Sequence, residues 1–150
     1  MTRQPDLIAL TDGRVVALGT ADTWSVPLQL FDPATSAWTS LPQTLVPRIA
    51  ATVAALPDGS LLLSGGRVPD GPGDCFAVSG SERYDPVTGS WVTDAPMRSA
   101  RFLAQSVSLE DGSVLVMGGQ HPIVPGECAA QDGFAGTDAG GGSEIYALPR

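Results

Sequence analysis

Three stretches of the chain place apolar and polar positions in the same order: LIALTDGRVVALGT, VAALPDGSLLLSGG and SVSLEDGSVLVMGG. In each, a short apolar run meets an Asp-Gly pair and a second apolar run follows. Asp-Gly between two strand-like runs predicts a hairpin, because Gly adopts positive φ at little cost and the Asp carboxylate bonds nearby backbone. The three Asp residues, Asp12, Asp58 and Asp111, stand 46 and 53 residues apart. A further strand-like stretch then closes each unit on an aromatic: PLQLF at Phe31, SERY at Tyr84 and SEIY at Tyr146. After the first two, an Asp-Pro turn leads into a strand opened by Trp38 or Trp91. No long stretch shows helical periodicity. The unit is therefore strand a, Asp-Gly turn, strand b, long loop, strand c, Asp-Pro turn, strand d. Four antiparallel strands in roughly 50 residues make one propeller blade. The pattern predicts an all-β partial propeller in one segment, with blades over residues 5–41, 48–95 and 101–150, the third lacking its outer strand.

The repeat resembles that of the kelch family, whose mark is a paired Gly after strand b, then a Tyr, then a Trp after six intervening residues. Here Gly65 and Gly66 lead to Tyr84 and Trp91, and Gly118 and Gly119 lead to Tyr146. The first unit departs: Gly19 is followed by Thr20, and Phe31 stands in the Tyr place, while Trp38 keeps the spacing. The phrase PMRSARFLAQSVSLEDGSVLVMGG is also similar to the propeller of galactose oxidase-like enzymes, which bind one copper through two Tyr and two His. His121 is the only His in this chain. That copper set cannot be assembled from it, and the resemblance implies no catalytic role here.

The loop chemistry follows from ordinary stereochemistry. In YDPVTGSW, Asp85 accepts backbone hydrogen bonds, Pro86 presets φ, and Gly89 supplies a left-handed position before strand d. Trp38, Trp91, Phe31, Tyr84 and Tyr146 are read as packing residues within and between blades, and the paired glycines as points of close backbone approach.

Composition narrows the function. Net charge is −8, Lys is absent and all eight basic residues are Arg. With a pI of about 4.3, nucleic acid is an unsuitable partner, since phosphate contacts need clustered cations. No apolar run reaches the ~20 residues that span a bilayer. The first residues carry no charged-then-apolar leader; either the protein is not secreted or a leader lies outside this chain.

Antiparallel order puts the a–b and c–d turns at one end of each blade and the b–c and d–a connections at the other. The b–c loops lengthen along the chain: 11 residues from Thr20 to Phe31, 18 from Gly66 to Tyr84 and 27 from Gly119 to Tyr146. Long loops on one face of a rigid scaffold are where binding usually resides, the alternative being tolerated insertions. Candidate ligand residues on this face are Arg48, Arg101, Arg67, Asp70, Asp74 and His121. Arg48 and Arg101 fall ten residues before Asp58 and Asp111. They either bond carbonyls and a neighbouring acid at the blade corner or form an arginine rim for a carboxylate or acidic peptide. Asp70, Asp74, Asp132 and Asp138 offer oxygens of the kind Ca²⁺ takes, but match no recognised calcium loop, and no metal or cofactor is expected. Cys75 and Cys128 fall in adjacent b–c loops. A disulfide between them would imply an extracellular or periplasmic setting; the alternative is two free thiols.

Closed propellers have about four to eight blades, so three leave two faces uncovered. The expectation is further blades of a longer chain or self-association, for example two copies in a six-bladed ring. The reading is a non-enzymatic module that binds a protein or glycan on its b–c and d–a face. The alternative is part of a copper oxidase resembling galactose oxidase, with its metal ligands elsewhere.

Overall fold

The computed structural model describes residues 6–19, 28–69, 75–120 and 143–146. All regular structure among them is strand. The first sheet runs β1 (Asp6–Ala9), β2 (Val15–Leu18), β3 (Leu28–Asp32) and β4 (Ala37–Ser40), each antiparallel to the last. In the second sheet β5 (Thr52–Ala55) pairs with β6 (Leu61–Ser64). The chain then makes a separate two-stranded hairpin, β7 (Arg67–Pro69) and β8 (Cys75–Ala77). It returns as β9 (Ser81–Asp85) beside β6 and ends the sheet with β10 (Ser90–Asp94). The third sheet joins β11 (Phe102–Ser108), β12 (Val114–Gln120) and β13 (Ser143–Tyr146), three strands among the described residues. The arrangement is that of consecutive propeller blades.

The Asp-Gly turns are pinned alike. The amides of Leu10, Leu56 and Leu109 each donate to the carbonyl four residues on, at 2.8 Å. Gly13, Gly59 and Gly112 take φ of 87°, 82° and 84°. The carboxylates of Asp12, Asp58 and Asp111 accept the amides of Arg14, Ser60 and Ser113 at 3.0, 3.0 and 2.9 Å. The Asp-Pro turns also match one another. Asp32 and Asp85 accept the amides of Ala34 and Val87, both at 2.8 Å. The left-handed position predicted at Gly89 has φ of 65°, and in the first blade Ser36 adopts it at 55°.

Two cores hold the sheets together. Between the first and second sheets lie Leu10, Val16, Leu18 and Leu28 against Val53, Leu61, Leu63 and Trp91. Between the second and third lie Ala54, Leu56 and Leu62 against Ala104, Val114 and Val116. The second sheet is thus covered on both faces. This explains why Leu61-Leu62-Leu63 is a continuous apolar run where a one-sided strand would alternate. Trp91 adds a directional tie, its Nε1 donating to the Pro42 carbonyl at 2.9 Å.

The paired glycines sit where backbones converge. A Cβ on Gly66 would lie 2.9 Å from the Ile49 carbonyl oxygen, and one on Gly65 would collide with the Arg101 carbonyl oxygen. The Gly66 amide uses that proximity to donate to Arg101 O at 2.8 Å. The finding that sequence patterning did not anticipate is the β7–β8 hairpin. It lies inside what the sequence presents as a plain b–c loop.

Candidate functional site: the loop-bearing face

The b–c connection of the second blade is built, not trailing. Its first strand is held by reciprocal bonds between Ile49 and Arg67 (2.9 and 2.8 Å). Its return is held by Val78 to Gly66 (2.9 Å) and Gly65 to Gly80 (3.0 Å). It also ties to the next blade: Met97 donates to Ser79 at 2.9 Å and Arg101 donates to Val78 at 3.3 Å. Backbone groups that would otherwise be buried without partners are paired this way, which makes the hairpin part of the scaffold. Within it Val68 faces inward and Phe76, its cross-strand partner, is exposed.

The d–a corners carry local strain. Ala50 and Leu103, at equivalent places where the chain enters strand a, both have positive φ, 59° and 60°. The Leu103 amide donates to the Ala50 carbonyl at 2.9 Å, linking the two corners. Non-Gly residues in this region are disfavoured by roughly 1–3 kcal/mol and persist only where surroundings enforce them.

Arg48 is 2% exposed and its guanidinium is fully engaged. Nη1 donates to Gly80 O (2.8 Å) and Gly65 O (3.1 Å), and Nη2 pairs with Glu82. Glu82, equally buried, also accepts the amides of Leu45 (2.6 Å) and Val46 (3.1 Å). This cluster joins the corner before β5 to β9 across the end of the blade. Arg101 is also buried and donates to Gly118 O at 2.8 Å, the counterpart of the Arg48–Gly65 bond. Arg67 differs: it is half-buried, with its guanidinium carbon 4.6 Å from the centre of the Phe102 ring, a cation–π contact between consecutive blades. Gln120, paired with Phe102 in the β11–β12 ladder, brings a carboxamide to the same end.

The structure therefore brings Arg67, Phe102 and Phe76 to the loop-bearing face and puts Arg48 and Arg101 inside its supporting corners. Asp70, Asp74, His121, Cys128, Asp132 and Asp138 lie outside the described residues. Cys75 is placed as the first residue of β8, and its pairing with Cys128 lies outside them too. Among the described residues no three of His, Cys, Asp and Glu come together as a metal site would require. Glu82 and Phe76 were missed in the sequence. A signal for Glu82 existed: Ser-Glu recurs at 81–82 and 143–144 in the two blades that also carry Arg48 and Arg101, while the first blade has neither.

Carboxylates with perturbed ionisation lie at the opposite end, in the turns. The Arg14 side chain and amide hold Asp12 below the ordinary carboxylate value. Burial opposes ionisation of Asp58, but bonds from Ser60 together with Arg83 outweigh it and lower its pKa. The Val87 amide does the same for Asp85.

Neither a protein-family description nor a curated protein sequence matches the chain. Among solved structures, that of YjhT is similar, with a TM-score of 0.61 and 22% identity over 80% of this chain. The match covers 36% of YjhT, so this chain spans little more than a third of that protein's length. The likeness extends to the fold: consecutive antiparallel sheets stacked through their faces recur in a longer chain.

Proposed function

We propose that this chain is a kelch-type propeller segment that binds a protein or glycan on the face carrying the b–c and d–a connections, without chemistry of its own. The observation that carries the reading is the β7–β8 hairpin, which holds exposed Phe76 on backbone bonded to both neighbouring corners. A rigid aromatic on a prepaid backbone loses little freedom on binding and suits a sugar face or an apolar side chain. Arg67, over Phe102 at the start of the same hairpin, adds a planar donor group at that blade boundary. The kelch reading rests on the recurring Gly-Gly, aromatic and Trp positions: Gly65, Gly66 and Gly119 are points of close backbone approach, each Trp lies against the aromatic of strand c, and Trp91 packs into the core between the first two sheets.

The test is a screen of the purified chain against immobilised glycans and extracellular protein domains, followed by titration of whatever binds. Phe76→Ser is expected to weaken a genuine ligand at least tenfold. Val87→Ser, at the tip of the opposite c–d turn, should leave binding unchanged. Equal loss from both variants, or loss from Val87→Ser alone, would move the site off the proposed face.

A further inference from the structure

Among the described residues three non-glycine positions have positive φ. Ser36 closes a turn. The other two, Ala50 at 59° and Leu103 at 60°, stand one repeat apart where the chain enters β5 and β11. Neither carries the short polar side chain that eases Asn or Asp into this region. Their conformation is enforced from outside.

The enforcing bonds form a closed circuit. Ile49, next to Ala50, exchanges both backbone hydrogen bonds with Arg67, at 2.9 and 2.8 Å. Gly66, next to Arg67, donates to the Arg101 carbonyl at 2.8 Å and accepts from the Val78 amide at 2.9 Å. The Val78 carbonyl accepts from the Arg101 amide at 3.3 Å. Two residues beyond Arg101, the Leu103 amide donates to the Ala50 carbonyl at 2.9 Å, where the circuit began. Both ends of the β7–β8 hairpin are therefore links between the entry to the second blade and the entry to the third. Close approach makes the closure possible: a Cβ on Gly66, whose φ is 101°, would lie 2.9 Å from the Ile49 carbonyl oxygen and 3.2 Å from the Ala51 Cβ.

A circuit strained at two points does not open piecemeal. Each link holds a corner in a conformation that an L side chain disfavours. Once one link is lost, the corner it held relaxes and no longer presents its carbonyl or amide to the next. The strain thus makes opening all-or-none, as in a cooperative unit smaller than the whole fold. The sheet beneath does not share it. Leu61, Leu62 and Leu63 are held by the ladders to β5 and β9 and by cores on both faces.

We infer that the hairpin and the two strained corners are one conformational latch across the boundary between the second and third blades, opening and closing as a unit while the sheets stay folded. Whatever restrains the hairpin also fixes that boundary, and loosening either corner frees the hairpin. The latch is a property of the ligand-free chain and stands whether or not the face binds a ligand.

Hydrogen exchange of the ligand-free chain tests this, followed amide by amide by NMR through urea concentrations below the unfolding transition. The amides of Ile49, Gly66, Arg67, Val78, Arg101 and Leu103 all donate within the circuit. They should converge on a single opening with one urea slope, while those of Leu62 and Leu63 exchange at least tenfold more slowly. Ala50→Gly relieves one corner without removing a bond, because Gly takes positive φ at little cost. All six amides should then slow by one common factor, Leu103 in the next blade included. Gly66→Ala forces the backbones apart and should speed exchange at Ile49 and Leu103 alike by more than tenfold; should that variant not fold, the urea series and Ala50→Gly still decide. Two groups of amides with different slopes would overturn the latch. So would a response to Ala50→Gly confined to Ile49 and Arg67, or an opening indistinguishable from that of Leu62 and Leu63.

Discussion

Replacing Glu82 with Gln tests whether the buried corner cluster holds the second blade together. The carboxylate is 2% exposed and accepts from three donors: the amides of Leu45 and Val46 and the Arg48 guanidinium. Gln retains the shape and one acceptor but removes the charge, leaving Arg48 buried with only the carbonyls of Gly65, Gly80 and Val46 for company. Breaking a buried ion pair from one side costs about 3–5 kcal/mol. The remaining carbonyl partners and the exposed position of Leu45 and Val46, where water replaces the lost acceptor, put this case near the lower figure, ~3 kcal/mol. At a urea slope of about 2 kcal/mol/M, the unfolding midpoint should fall by roughly 1.5 M. The double variant Arg48→Met with Glu82→Leu removes both charges and should cost less than the two single losses together. It should still fall short of wild type, because the Gly65 and Gly80 carbonyls lose their donor. A midpoint shift below about 0.5 M for Glu82→Gln, with the slope unchanged, would refute the assignment, since no buried cation left unpaired is that cheap.

Two further outcomes follow from neighbouring features. Trp91→Ala should destabilise by about 3–5 kcal/mol, the usual cost of emptying a buried aromatic site, whereas Trp38→Ala, at a half-exposed ring, should cost less than half of that; equal losses in urea melts at low protein concentration would contradict the packing difference. Asp58 has a lowered pKa, so its contribution is complete above the ordinary carboxylate value near 4 and is lost as pH falls through the lowered one. Because the Asp58 side chain is half exposed, the effect is below about 1 kcal/mol. Asp58→Asn should correspondingly narrow the drop in urea midpoint between pH 6 and pH 2.5, and an unchanged drop would show that the Ser60 bonds and the Arg83 pairing of the ionised carboxylate contribute nothing.

The architecture was legible because the repeat carries it. Asp-Gly and Asp-Pro turns are local chemistry, and the strands between them had little freedom to fall elsewhere. The apolar runs of β5 and β6 showed which sheet is covered on both faces once the order was known. The site was less legible, and for a physical reason. Arg48 reads the same in sequence whether it points at a ligand or at carbonyls, because the deciding partners, Gly65, Gly80 and Glu82, lie 17 to 34 positions away. The β7–β8 hairpin was invisible because its segment is fixed by bonds with Ile49, Met97 and Arg101 outside it, not by an alternating pattern within its strands.

Repetition and specificity pull in different directions along this chain. Residues that recur at a 53-residue step, such as Phe31 with Tyr84, Trp38 with Trp91, and Gly66 with Gly119, take similar local geometry in successive blades. Gly66 and Gly119 even meet the same neighbours, Ile49 and Ala51 in one case, Phe102 and Ala104 in the other. A recurring residue therefore presents the same group at every blade and cannot by itself single out one sector of the ring. Arg67 does not recur: Gln120 stands at its place in the third blade and Ala21 in the first. Its cation–π partner Phe102 corresponds to Ile49 one blade earlier, so this pairing of guanidinium and ring occurs at one blade boundary only, among those described. Selectivity for a ligand must draw on such departures from the repeat. Arg67, its partner Phe102 and the hairpin bearing Phe76 are such departures.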